Sequence, residues 1–196
     1  MIDLKRETAK LLLESSQNLA QYVASSSFEF WQRKDFRLYV DFDNLSQTEQ
    51  DRIFNELEVS LLGLFILHLE QALTSVKEEQ KIVLNVLLKD LAPAFLQVLA
   101  NAGVEEKFVN QWDYLINMRL KEYREDLSVA LKESSSWKEF KKEKEFHPTW
   151  SRIETITIDC LSHIRRGKVE KDDPLWKLLR KWFLTEDARL NPITQA

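Results

Sequence analysis

Apolar side chains recur three and four positions apart along most of the chain, which is the spacing of one face of a helix. Leu4, Leu11, Leu12, Leu19, Tyr22 and Val23 keep this period, with Lys5, Lys10, Glu14 and Gln21 on the wet side, and predict a helix over about residues 3–24. Ser25-Ser26-Ser27 is expected to end it, because serine hydroxyls compete for backbone hydrogen bonds. Phe28 to Lys34 is then expected to form a further short turn of helix.

One segment breaks the helical period. In Phe36-Arg37-Leu38-Tyr39-Val40-Asp41-Phe42-Asp43 the apolar residues alternate, the period of a half-buried strand. No second strand stands elsewhere to pair with it, and a lone strand leaves half its backbone unpaired. Residues 36–43 are therefore expected to form an extended connector lying on helices, with a short pairing across a dimer axis as the alternative.

The helical period then resumes. Ser46-Gln47-Thr48-Glu49 is a capping box that opens a long helix to about Leu73. From Leu57 onward this helix is apolar nearly all round, which marks it as central and buried, and Gly63 leaves a notch for a neighbour. Ser75-Val76-Lys77-Glu78 predicts a second box and a third helix, kinked or split near Leu91 by Pro93 and closed by Gly103. A fourth helix is expected over about residues 105–132, broken by Ser134-Ser135-Ser136, with a short charged helix from Trp137 to Phe146 behind it. Thr149 begins another, ending at Gly167, and Asp173 caps the last, with Pro174 in its first position. The fold class these elements imply is all-α: one domain over residues 1–196, an irregular bundle of about six to eight helices.

Composition agrees. Three Gly and four Pro in 196 residues are too few for the turns of a sandwich, a barrel or a doubly wound sheet. A net charge of −4 gives no global reason to bind nucleic acid. The charge is uneven: up to Gly103 there are 10 basic against 15 acidic residues, and from Val104 onward 18 against 17. The single cysteine, Cys160, supports neither an intrachain disulfide nor a multi-thiolate zinc site. The longest apolar stretch, Leu61 to Leu69 with Gly63 and His68 inside it, falls short of the about 20 residues a membrane span needs. With no secretory signal at the N-terminus, the expected compartment is the cytoplasm.

Candidate chemistry is sparse. His68 lies on the stripe Leu57, Leu61, Leu64, Phe65 and Ala72, so it is expected to face inward, with Glu58 and Glu70 on other faces of the same helix. These three are the polar handles of a possible interhelical pocket. A carboxylate-bridged metal pair needs an acid three residues before each histidine, and those places hold Phe65, Lys144 and Cys160. Cys160 and His163 stand one helical turn apart, but no glycine-rich turn follows to supply an oxyanion site. Asp41-Phe42-Asp43-Asn44 departs from a calcium loop at Leu45 and Ser46, where a further oxygen ligand and a glycine belong. Leu99 to Val104, followed by Val109, resembles the turn of helix-turn-helix DNA readers. It departs from that motif at Leu99, where a small residue belongs, and at Glu105 and Glu106, which repel phosphate.

No metal, cofactor or nucleic acid is implied, and the balance leans away from an enzyme. Six Trp and eleven Phe favour an interaction or regulatory module that binds a protein partner or itself. Trp31, Phe36, Trp137, Trp176 and Trp182 are the aromatic candidates for such a surface. Small-molecule binding or catalysis near His68 is the alternative. The second alternative is peripheral attachment to a membrane surface through the last helix, carried by Lys177, Arg180 and Lys181.

Overall fold

The computed structural model describes the backbone of residues 2–141, 148–170 and 172–191, and the side chains of 14–133, 148–170 and 172–191. Seven α-helices make up the described chain: α1 (Ile2–Trp31), α2 (Lys34–Tyr39), α3 (Gln47–Ala72), α4 (Glu78–Asn101), α5 (Glu106–Lys141), α6 (Pro148–Ile164) and α7 (Pro174–Ala188). A single 3₁₀ turn, Phe42–Asn44, lies between α2 and α3, and there is no strand among the described residues. The all-α bundle is thus the observed fold.

The helix α3 is its axis. It packs against α1, α4, α5, α6 and α7, while α1 lies along α4 and α6 is held between α5 and α7. Every residue from Glu56 to Leu69 is buried, as an all-round apolar helix requires. Ser46 caps it, its Oγ accepting the Glu49 amide at 3.3 Å. The Glu49 carboxylate does not complete the box: it pairs with Arg52 and Arg166. Gly63 supplies the expected notch. A Cβ there would stand 2.6 Å from Cε2 of Tyr123, whose ring on α5 fills the gap.

Four expectations from the sequence need correcting. Residues 36–43 are not extended: Phe36 and Val40, four apart, are buried on one side of α2, while Leu38 points to solvent at 75% exposure. The chain then reverses at Asp41, which adopts a left-handed conformation (φ 56°) closed by Asn44 Nδ2 donating to its carboxylate at 2.8 Å. The reversal brings Phe42 back to the core. Second, Ser25-Ser26-Ser27 and Ser134-Ser135-Ser136 do not end helices. Serine is only a middling helix former, not a breaker, and α1 continues to Trp31 and α5 to Lys141. Ser27 is fully buried, and Phe30 beyond it stacks on Trp182 at 4.1 Å, which rewards the extra turns. The separate helix expected over Trp137 to Phe146 is in part the end of α5, and its remainder lies outside the described residues.

Third, α4 begins two residues later than expected. Ser75 Oγ donates back to the Ala72 carbonyl at 3.2 Å, and the Lys77 amide donates to Oε1 of Gln80 at 3.1 Å instead. Fourth, Pro93 does not split α4. Its ring lies on the solvent side, where water can replace the amide it denies to the Lys89 carbonyl. By length and composition alone α4 could cross a membrane; Lys89 and Asp90 stand inside its apolar stretch, and only 33% of that stretch is buried by the rest of the protein. Gly103 (φ 91°) and Gly167 (φ 74°) close α4 and α6, and Asp173 accepts the Leu175 amide at 2.9 Å to open α7.

Candidate functional site

The inward-facing polar residues of α3 are the natural place to look for chemistry, and they fall into two seams and one isolated acid. In the first seam His68, 5% exposed, points at α6 and α7. Its Nδ1 lies 3.0 Å from Oδ1 of Asp187 and 3.0 Å from Nη2 of Arg152. Arg152 also donates to both Asp187 oxygens, at 2.9 and 2.8 Å, and to the Gln71 side-chain carbonyl. Burial pulls the Arg152 guanidinium below its ordinary range, and the Asp187 carboxylate opposes that pull. The three side chains are turned to one another, so the arrangement docks α6 and α7 onto α3.

The second seam runs where α3, α5 and α6 meet. Arg119 binds Glu56 with two nitrogens, at 2.7 and 3.1 Å, and reaches Glu122 at 3.2 Å. Nε2 of His163 stands 3.0 Å from the same Glu122 oxygen. Burial works against the Arg119 charge, but the Glu56 carboxylate more than restores it. One turn further along, Asp159 faces Asp126. Burial and the Asp126 and Glu122 carboxylates push its carboxyl up to about 7. Next to this seam Tyr123 bonds Ser60 at 3.0 Å, and burial raises both the Tyr123 hydroxyl and the Cys160 thiol. A buried thiol so raised is a small hydrophobe rather than a nucleophile.

Glu58 is the isolated acid. It is 3% exposed, and burial alone pushes its carboxyl up to about 8, so it is largely protonated at neutral pH. The three candidate pocket residues therefore do not converge. His68 is locked into the first seam, Glu58 is closed off in its own surroundings, and Glu70 forms a half-exposed pair with Arg124 at 2.6 Å. No group of three or more His, Cys, Asp or Glu suited to a metal occurs among the described residues.

An open cavity of about 660 Å³ lies elsewhere, between α1, α3, α4 and the end of α7. Leu19, Phe65, Val83, Leu87 and Leu190 form its apolar wall, and Tyr22 and Arg189 stand at its polar side. The Tyr22 hydroxyl donates to Glu186 at 2.5 Å, and burial together with that carboxylate raises it to about 12. The Arg189 guanidinium sits 5.6 Å from the Tyr22 ring centre. Sequence patterning pointed to none of this, because Arg189 lies beyond the last apolar turn of α7.

The aromatic candidates separate in the same way. Phe36 and Trp182 belong to the core and offer no surface. Trp31 is half-buried, its ring against Phe28, Phe42 and Phe54 and under the Arg37 guanidinium at 4.8 Å. Trp176 and Trp150 flank Arg180, at 5.5 and 4.9 Å, and Arg180 is tied to Glu154. Lys177 and Lys181 are exposed beside them. The Trp137 side chain lies outside the described residues. Comparison with protein-family models, curated proteins and solved structures finds no match to this chain.

Proposed function

We propose that this chain is a non-catalytic helical interaction module that self-associates, and that a second copy packs on the outward face of α4. One observation carries the reading: among the described residues α4 is the one helix long and apolar enough to meet the length and composition of a membrane span, yet most of its apolar stretch is not buried. Ile82, at 68% exposure, Val83, Pro93 and Ala100 are open to solvent, with Val86 and Leu96 half-covered between them. Ile82, Val86, Pro93 and Ala100 recur at intervals that keep them on one side of the helix. An exposed apolar stripe of this kind marks an interaction site. The non-catalytic part of the reading is supported by the two ionic seams, whose polar groups are turned to one another.

Charge selects the occupant. Lys89 and Asp90 are the only charged residues of α4 beyond Lys81, and they sit at the middle of the stripe. In a lipid bilayer each would cost about 2.5–3.5 kcal/mol. A parallel second copy would set Lys89 against the partner's Lys89. An antiparallel copy crossing there sets Lys89 against the partner's Asp90, and Val86 against the partner's Pro93. Two-fold pairing of identical patches is also the commonest closed assembly.

The test is mass in solution by sedimentation equilibrium across a concentration series, with flotation on neutral and anionic liposomes run beside it. The full chain should approach twice its monomer mass. Ile82→Glu with Val86→Glu should return it to monomer, as should Lys89→Asp alone. The exchange Lys89→Asp with Asp90→Lys should restore the dimer. A monomer at every concentration, a dimer indifferent to all these changes, or flotation that depends on Ile82 and Val86 would each overturn the reading.

A further inference from the structure

The cavity between α1, α3, α4 and the end of α7 has a feature that a simple packing gap lacks. Its walls are side chains of four separate elements, and among the described residues that line it Arg189 is the one cation. Arg189 is 58% exposed in its side chain, and its acidic neighbour among the described residues is Glu186 at 3.5 Å. That contact is too long for a hydrogen bond, and the Glu186 carboxylate already accepts the Tyr22 hydroxyl. Among the described residues the Arg189 guanidinium therefore donates no hydrogen bond, while the Tyr22 ring face holds it beside the cavity. Asn18, exposed on the α1 rim, adds an amide to the same side.

We infer that this cavity binds a small amphipathic carboxylate, its apolar body against Leu19, Phe65, Leu87 and Leu190 and its carboxylate on Arg189. The volume, about 660 Å³, falls in the range of sites that take small molecules, roughly 300–1,000 Å³. A wall that is mostly hydrocarbon favours an alkyl or aryl body over a sugar or nucleotide. A planar fork whose nitrogens donate no hydrogen bond among the described residues matches a carboxylate, which it can hold with two parallel hydrogen bonds. A cationic headgroup would meet Arg189 with like charge, and an uncharged one would leave the guanidinium unused. The inference is independent of self-association: Val83 stands at the edge of both surfaces, but Arg189 and Leu190 belong to the cavity alone.

The experiment is calorimetric titration of the full chain with decanoate, decanol and decyltrimethylammonium, each below its aggregation concentration. Decanoate should bind once per chain, and decyltrimethylammonium should not bind. Arg189→Gln should weaken decanoate about tenfold or more, the loss of one charge-assisted contact, and leave decanol within about twofold of its original affinity. Val83→Trp, at a position 38% exposed and so tolerant of bulk, should narrow the cavity and weaken both ligands. Lys181→Gln, outside the cavity, serves as the charge control and should change neither. Absence of decanoate binding overturns the inference. So does binding that Arg189→Gln and Lys181→Gln weaken alike, which would be adsorption to a basic surface, and so does binding that Val83→Trp leaves unchanged.

Discussion

Glu58→Gln exchanges a carboxyl for a neutral amide of the same shape where α3 is closed on every side. In the unfolded chain this carboxyl titrates near its ordinary value of 4.5; in the folded protein burial holds its proton until about pH 8. Between those two values the folded state binds the extra proton, so rising pH favours unfolding through this group. Below pH 4.5 both states are protonated and the group contributes no penalty; above about pH 8 both are ionised and the penalty is constant. Glutamine never ionises. The stability advantage of the variant should therefore be near zero at pH 4.5 and grow by about 1.4 kcal/mol per pH unit. Two and a half units bring it to about 3 kcal/mol at pH 7, and three and a half to about 5 kcal/mol on the plateau. For a chain of this size, about 3 kcal/mol corresponds to a Tm raised by roughly 6–12 °C. Urea unfolding of both proteins from pH 4.5 to 9 measures the difference directly, and the other titrating groups cancel in it. A difference that does not change with pH, or a variant less stable than the parent at pH 8, would refute the reasoning.

Two further changes test the packing of α3. Gly63→Ala places a methyl 2.6 Å from Cε2 of Tyr123, a ring held by its bond to Ser60, and overpacking of this kind costs about 1–3 kcal/mol. That outweighs the gain of about 1 kcal/mol in helix propensity, so urea midpoints should fall, and a stabilised variant would show that Tyr123 can move aside. Arg152→Met strands the Asp187 carboxylate against His68 and should cost about 3–5 kcal/mol in unfolding free energy. Adding Asp187→Leu should recover much of that, and a double variant as unstable as the single one would mean that packing, not the stranded charge, sets the cost.

The helices were legible because their three-to-four period is repeated many times over; the errors fall where one period fits inside another. Phe36 and Val40 satisfy strand alternation and a helical turn equally, and both are buried, Phe36 on α2 and Val40 as its C-cap. The tie is broken by Asp41, whose left-handed backbone and bond to Asn44 turn Phe42 inward, and no apolar pattern encodes that. Serine runs misled in the opposite sense. Their hydroxyls can stop a helix, but Ser25 simply donates back to the Tyr22 carbonyl at 3.1 Å and the helix continues. Gly63 was readable because a glycine on an otherwise oily face has few purposes besides admitting a neighbour.

Stripe membership correctly set His68 inward, but its partners, Arg152 and Asp187, stand 84 and 119 positions away. A helical period reports which face is buried and is silent on what meets it there. The same limit applies to charge. The formal net charge of −4 counts every acid as ionised, whereas burial leaves Glu58 largely protonated at pH 7 and Asp159 about half so. The folded chain therefore carries less negative charge than its composition states, and the deficit is held inside the bundle. A rise in pH through neutrality therefore acts on the stability of the fold through these two carboxyls, which must give up protons inside the bundle.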